Sequence, residues 1–305
     1  MDKILPIQIK PEIKKAFASN QPIVALETTV LTHGLPFDIN LQNALKNEEI
    51  IRQNGAIPAT IGLIDGIFLV GLTQEEIHFL ATSKNVHKIS IRDIGYAIAN
   101  KLSGGTTVAG TLKIASTVGI KVFATGGIGG VHRGGVFDVS ADIEALAKYP
   151  VITVCAGAKA ILDLESTLEV LETKGIPVIG YQTNELPAFY SISSGIEVPL
   201  RAETIQEIAN TALQHWNIGL TSAILVTAPP PKEYAIENRT IEEAIQKALI
   251  SASENGIRGN AVTPFLLSEV SKVTHEQSMR VNLALLENNA SIAAQIAVQL
   301  FQESV

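Results

Sequence analysis

Lys159 is the residue of this chain best placed to do chemistry. It follows an apolar run, Val151-Ile-Thr-Val-Cys155, through Ala156-Gly157-Ala158. A lysine just past a buried strand loses solvation of its ammonium, its pKa falls, and the neutral amine becomes a nucleophile toward a carbonyl. The plain alternative is an exposed first-turn lysine paired with Asp163 four residues on. Glu27 holds the analogous place after Ile23-Val-Ala-Leu26 and precedes two threonines. Burial there makes it a proton donor near neutral pH, whereas exposure leaves an ordinary solvated carboxylate.

Asp138 and Asp142 stand four residues apart with Ser140 between them. Ser140 or Asp138 suits the N-cap of a helix, with Asp142 in its favourable first turn. The functional reading gives one carboxylate to a hard divalent ion that keeps most of its waters, as Mg²⁺ or Mn²⁺ does. Zinc is disfavoured by a single cysteine and the lack of a paired-histidine motif. His132 suits a metal's outer shell, a substrate hydrogen bond or a plain loop position, and its spacing does not choose among them.

These residues flank the loop Gly126-Gly-Ile-Gly-Gly130. A dinucleotide reading of it fails, because His132 stands where a third glycine is required and the loop opens into no helix. No Gly-Lys-Ser/Thr run exists for a P-loop. What survives is either backbone free to approach a ligand closely or a surface loop rich in turn residues.

Strand and helix signals alternate from residue 22 to about residue 227. Thr60-Ile-Gly-Leu-Ile64 and Ile67-Phe-Leu-Val70 around Asp65-Gly66 predict a hairpin with a type I′ turn. Thr73-Gln-Glu-Glu76 has capping-box spacing. His87-Lys-Ile-Ser-Ile91 reads as a strand, residues 160–174 as a helix closed by Gly175, and residues 264–302 as helical throughout. The expected fold is an α/β/α sandwich around a mostly parallel mixed sheet. One domain spans 1–305, with 1–20 as an N-terminal extension.

The chain has 305 residues, 46% of them apolar, with a mean hydropathy of +0.26. That suits strands buried on both faces and extra burial between subunits. A net charge of −7, spread along the chain, argues against a nucleic-acid partner. No stretch approaches the ~20 apolar residues of a membrane helix. One cysteine, Cys155, fits a reducing compartment, with the cytoplasm as the default.

Five motifs, in order, carry a resemblance: Ala25-Leu-Glu-Thr-Thr-Val-Leu-Thr-His-Gly-Leu-Pro36, Phe123-Ala-Thr-Gly-Gly-Ile-Gly-Gly-Val-His-Arg133, Phe137-Asp-Val-Ser-Ala-Asp142, Val154-Cys-Ala-Gly-Ala-Lys159 and Gly180-Tyr-Gln-Thr183. With Thr263-Pro-Phe-Leu-Leu267 and Asn288-Asn-Ala290, the chain resembles the pseudouridine-5′-phosphate glycosidases, a family that includes the indigoidine-synthesis A proteins. The resemblance implies reversible cleavage of pseudouridine 5′-phosphate to uracil and ribose 5-phosphate by a homotrimer. It implies Lys159 as the imine-forming nucleophile, Glu27 as the acid that protonates the leaving uracil carbon, and Asp142 as a proton shuttle for ring opening. Asp138 corresponds to the ligand of one divalent cation per subunit, usually Mn²⁺. Lys88, Val108, Ser140, Ala141 and Asp142 correspond to substrate contacts, and Thr125, His132 and Asn282 to the lining of the base or ribose pocket. Two other readings stand beside this one: an imine-forming aldolase or lyase for another sugar phosphate, and a non-catalytic nucleotide-binding protein.

Overall fold

The computed structural model describes residues 5–34, 37–134, 138–257, 262–274 and 277–303. Leu35 and Pro36 of the first motif and Phe137 of the third lie outside them, as do the side chains of Thr263 and Pro264. The strands among the described residues are β1 (Ile7–Ile9), β2 (Ile23–Leu26), β3 (Ile57–Ile64), β4 (Ile67–Val70), β5 (His87–Ile89), β6 (Gly104–Thr106), β7 (Val122–Ala124), β8 (Val131–His132), β9 (Ile152–Cys155), β10 (Leu162–Asp163), β11 (Val178–Tyr181), β12 (Leu200–Ala202) and β13 (Ile224–Thr227). The main sheet runs β1-β4-β3-β2-β7-β9-β13-β11-β12, with β6 also paired to β3 and β5 to β6. From β3 to β12 along that path every pairing is parallel; β4 and β6 run antiparallel to β3.

Because side chains alternate along a strand, each central strand faces two cores. Ile23 and Ala25 pack with Ile114, Ile143 and Ile245 of the helices Val108–Val118, Ala141–Lys148 and Asn238–Glu254. Val24 and Leu26 face the other way, toward Ile51, Ile208 and Ala293 of Phe37–Gln53, Ile205–Asn217 and Gln277–Glu303. This is the expected α/β/α sandwich. The predicted hairpin forms as well: Asp65 and Gly66 both hold positive φ, 49° and 77°, as a type I′ turn demands. The capping box on Thr73 and Glu76 is complete.

Two local expectations need correction. The helix expected over residues 160–174 begins only at Leu164, because Asp163 caps it by accepting from the Ser166 N–H at 3.0 Å. Leu162 and Asp163 are instead spent in the short strand β10, paired with β8. Lys159 therefore stands before the helix rather than in its first turn, and Asp163 is its cap rather than a partner for Lys159. The tail is also divided, into Val262–Val273 and Gln277–Glu303.

Residues 1–20, read as an extension, include the edge strand β1, parallel to β4, and the helix Pro11–Ala18. Ile13 and Ala16 of that helix are fully buried in the sandwich. Ile13→Ala is expected to lower the unfolding free energy by about 2–4 kcal/mol, measured by urea denaturation. A loss below about 1 kcal/mol would mean that the segment is only loosely attached.

Candidate active site

The order in which strands are added to the sheet reverses between the parallel neighbours β2 and β7. The connections leaving β2 run to β3 and β4 on one side, and those leaving β7 run to β9 on the other. The carboxyl ends of parallel strands at such a switch point open a crevice that ligands occupy. Leu26 pairs with Ala124, and Ala124 with Val154. Glu27, Thr125 and the segment leading to Lys159 therefore leave the sheet side by side.

The glycine loop owes its course to the sheet. Past the end of β7 it keeps a parallel ladder with the chain leaving β9. The Ala156 N–H donates to Gly126 O at 2.9 Å, Ile128 to Gly157 O at 3.1 Å, and Lys159 to Ile128 O at 3.0 Å. Lys159 is thus held by the loop's own backbone. Arg133, at the far end of the loop, lies outside the cavity lining and ties the next turn down. It donates to Ala160 O and Leu162 O at 3.1 and 2.9 Å and forms a two-pronged ion pair with Glu242, at 2.6 and 2.7 Å.

Asp142 joins three elements. Ser140 caps its helix, accepting from the Asp142 N–H at 3.2 Å. One carboxylate oxygen of Asp142 accepts from the Ala109 N–H at 2.9 Å, and the other from Gly129 at 2.8 Å. Only a glycine allows that approach, since a Cβ at residue 129 would lie 2.2 Å from Ser140 Oγ. The threonines after Glu27 act in the same way on its strand end. Thr28 Oγ1 donates to Ile61 O at 2.7 Å and accepts from the Thr106 N–H at 2.9 Å, while Thr29 Oγ1 donates to Thr106 O at 2.8 Å.

These elements enclose a cavity of about 390 Å³. Glu27, Lys88, Val108, His132, Asp138, Ser140, Ala141, Asp142 and Lys159 all line it. Two expected residues do not. Thr125 sits behind Glu27, donating to its Oε1 at 2.5 Å. Asn282 lies beside Gly126 on the helix Gln277–Glu303, outside the cavity lining. Residues not anticipated for the site are Thr29, Ser90, Arg92 and Thr107. Arg92 lies in a short 3-10 turn, Ile91–Asp93, that follows β5, which ends at Ile89 rather than at the expected Ile91. Thr107 is the N-cap of Val108–Val118, accepting from the Gly110 N–H at 3.2 Å. That helix therefore presents its N-terminus to the cavity beside Lys88 and Arg92, an arrangement suited to an anion.

Asn289 was visible only as part of a motif. Fully buried, it donates to Thr125 O at 2.9 Å and steadies the end of β7. Cys155 is buried, its thiol pKa pushed up to about 12 by desolvation, so it is no nucleophile.

Burial raises the pKa of Glu27, against the opposing pull of the Lys159 charge and of the Thr125 hydrogen bond. Desolvation lowers that of Lys88, and the Lys159 charge lowers it further. A strand-end carboxyl that holds its proton more readily than usual can act as an acid, facing an amine in the same cleft. The same shift affects stability. A carboxyl with a raised folded pKa favours the native state below its unfolded pKa, and that contribution is lost as pH rises through the folded value. Glu27→Gln is therefore expected to match the parent's melting temperature near pH 4 and exceed it near pH 8. Equal melting temperatures at both pH values would show that Glu27 is not desolvated.

The family described as indigoidine synthase A like protein matches residues 12–299. A pseudouridine-5′-phosphate glycosidase of Herpetosiphon aurantiacus is 52% identical over 296 residues, 96% of this chain and 98% of that one. Another, from Caldanaerobacter subterraneus subsp. tengcongensis, is 49% identical over 96% of both chains. Among solved structures, the prealnumycin C-glycosynthase AlnA in complex with ribulose 5-phosphate superposes with a TM-score of 0.92. It is 37% identical, with 100% of this chain and 99% of that one covered. An indigoidine synthase A-like protein of Thermotoga maritima gives 0.89 at 35% identity, with 97% of each chain covered. With that match running from the first buried helix almost to the end of the last, the chain belongs to the indigoidine synthase A-like family.

Proposed function

We propose that the protein reversibly cleaves the C-glycosidic bond of pseudouridine 5′-phosphate to uracil and ribose 5-phosphate, through an imine between Lys159 and the ring-opened sugar. It is an enzyme of C-glycosidic chemistry, as its relatives' names indicate. The observation that carries this reading is the meeting of Lys159 and Glu27 in one cavity, each at the end of a central strand.

The bond to be broken joins two carbons, so the base leaves only if carbon receives a proton and the sugar carbon receives electrons. Asp142, fixed by two backbone N–H groups, moves the proton that opens the ribose ring. The amine of Lys159 adds to C1′. Its lone pair then forms the C=N bond as the C1′–C5 pair departs onto uracil C5, which takes the proton of Glu27. Water hydrolyses the imine, releasing ribose 5-phosphate and the free amine. The phosphate lies at the N-terminus of Val108–Val118, with Lys88 and Arg92 supplying charge.

The donor set also bears on the cation. Asp138 is exposed on the cavity wall, and no group of three or more His, Cys, Asp or Glu side chains converges among the described residues. That does not suit an ion caged by protein. It fits one hydrated Mn²⁺ or Mg²⁺ per subunit, which Asp138 would hold while the ion kept most of its waters. The ion's contribution when bound is to neutralise substrate oxygens. We extend the proposal to a cytoplasmic homotrimer, supported by exposed apolar side chains such as Tyr96 and Ile218. Among the described residues no helix is long and apolar enough to cross a membrane.

With Mn²⁺ and pseudouridine 5′-phosphate, the protein is expected to release uracil and ribose 5-phosphate. Lys159→Ala is expected to abolish this. Borohydride added during turnover should leave a pentose phosphate on the Lys159 peptide, read by mass spectrometry. An adduct at another lysine, or full activity in Lys159→Ala, refutes the mechanism. Light scattering giving the 32.5 kDa mass of one chain would refute the trimer.

A further inference from the structure

Glu27 lines the substrate cavity and a second, smaller one. Behind Glu27, away from Lys159, lies this chamber of about 30 Å³ bounded by Asn40, Asn43, Asn47, Thr60 and Thr125 together with apolar side chains. Six of its twelve lining residues carry polar side chains. Asn43 and Asn47 lie one turn apart on the helix Phe37–Gln53, each only 6% exposed. The side-chain oxygen of each is buried and accepts no hydrogen bond among the described residues. Two buried acceptors left without donors cost free energy unless something in the chamber donates to them. Water satisfies that need, and a chamber of this size with several polar partners holds one.

The chamber also has a second exit. Thr60 Oγ1, 3% exposed, donates to Glu48 Oε1 at 2.5 Å. Glu48 is half-buried on the outer part of the same helix.

We propose that Glu48, Thr60 and a water held by Asn43 and Asn47 form a proton relay that serves Glu27 from behind, independently of the substrate cavity. The inference rests on Glu27 acting as the acid of the proposed reaction. After Glu27 has given its proton to the leaving base it is a carboxylate, while sugar phosphate still fills the cavity in front. Glu48 then passes its proton to Thr60 Oγ1, the Thr60 hydroxyl proton moves to the water, and a water proton moves to Glu27. Glu48 takes its replacement from solvent. Each oxygen gains one proton as it loses one, and no charge is left on Thr60 or the water. In the synthetic direction the same chain runs backward. Burial raises the pKa of Glu48 as it does that of Glu27, so both ends of the chain hold a proton more readily than an exposed carboxyl does.

The test uses the full-length protein and separates loading from chemistry. Glu48→Gln keeps an acceptor for Thr60 but cannot deliver a proton, and Thr60→Val removes the hydroxyl at similar volume. In both variants, single-turnover release of uracil from protein equilibrated near pH 6 is expected to match the parent. Steady-state turnover is expected to fall about tenfold, with a larger solvent deuterium isotope effect. Formate, a small acid able to protonate Glu27 directly, should restore turnover in Glu48→Gln, and Thr60→Ser should turn over normally. Unchanged steady-state turnover in both variants overturns the relay. So does an equal loss in single and multiple turnover without formate rescue, which would mark a structural role. Failure of the underlying reading looks different: Glu27→Gln would then retain its single-turnover rate.

Discussion

The site depends on a short parallel ladder that outlives its strands. β7 and β9 end at Ala124 and Cys155, yet their backbones keep pairing through Ala156–Gly126, Ile128–Gly157 and Lys159–Ile128. That pairing fixes the backbone of the lysine at the mouth of the crevice. Everything nearby reinforces the ladder. Asn289 holds the carbonyl of Thr125, Arg133 anchors the carbonyls of Ala160 and Leu162, and Asp142 accepts from Gly129 within the loop itself. The glycine run allows close approach to this protein's own chain and carboxylate, where a nucleotide-binding loop would use it to approach a phosphate.

Placing acid and amine beyond strand ends separated by a single strand has an electrostatic cost. Glu27 is desolvated, which favours its proton, while Lys159 and Lys88 in the same cavity favour its charge. The balance falls on the side of desolvation, in the direction a proton donor requires. Lys88 shows the complementary effect, with its charged form disfavoured by burial and by Lys159. A site so tuned is less stable than an apolar one of equal volume, and the two-sided core of the sandwich supplies the compensating burial.

Much of this was legible along the chain. Apolar runs ending in Glu27 and Lys159 announce strand ends, and Asp65-Gly66 specifies its turn because both residues must hold positive φ. The Ser140 cap and the Asp142 first-turn position follow from local side-chain chemistry. The mistaken start of the helix after Lys159 has an equally local cause. Asp163 is a good cap, but the apolar pattern of residues 160–162 matches a helix as well as a strand bridge. Thr125 was credited with lining the cavity because a motif does not say which side of Glu27 a residue occupies.

By itself, then, the sequence determined the kinds of chemistry present, the α/β alternation and the places where the chain turns, because propensity, capping and hydrophobic period act over a few residues. Only the tertiary structure decided which strand ends are neighbours. The order β3-β2-β7-β9 unites Glu27, Thr125 and Lys159 across more than a hundred residues, and it brings Asn43, Asn47 and Thr60 behind Glu27. Such adjacency comes from long-range sheet pairing and from burial on two faces, which no local pattern encodes.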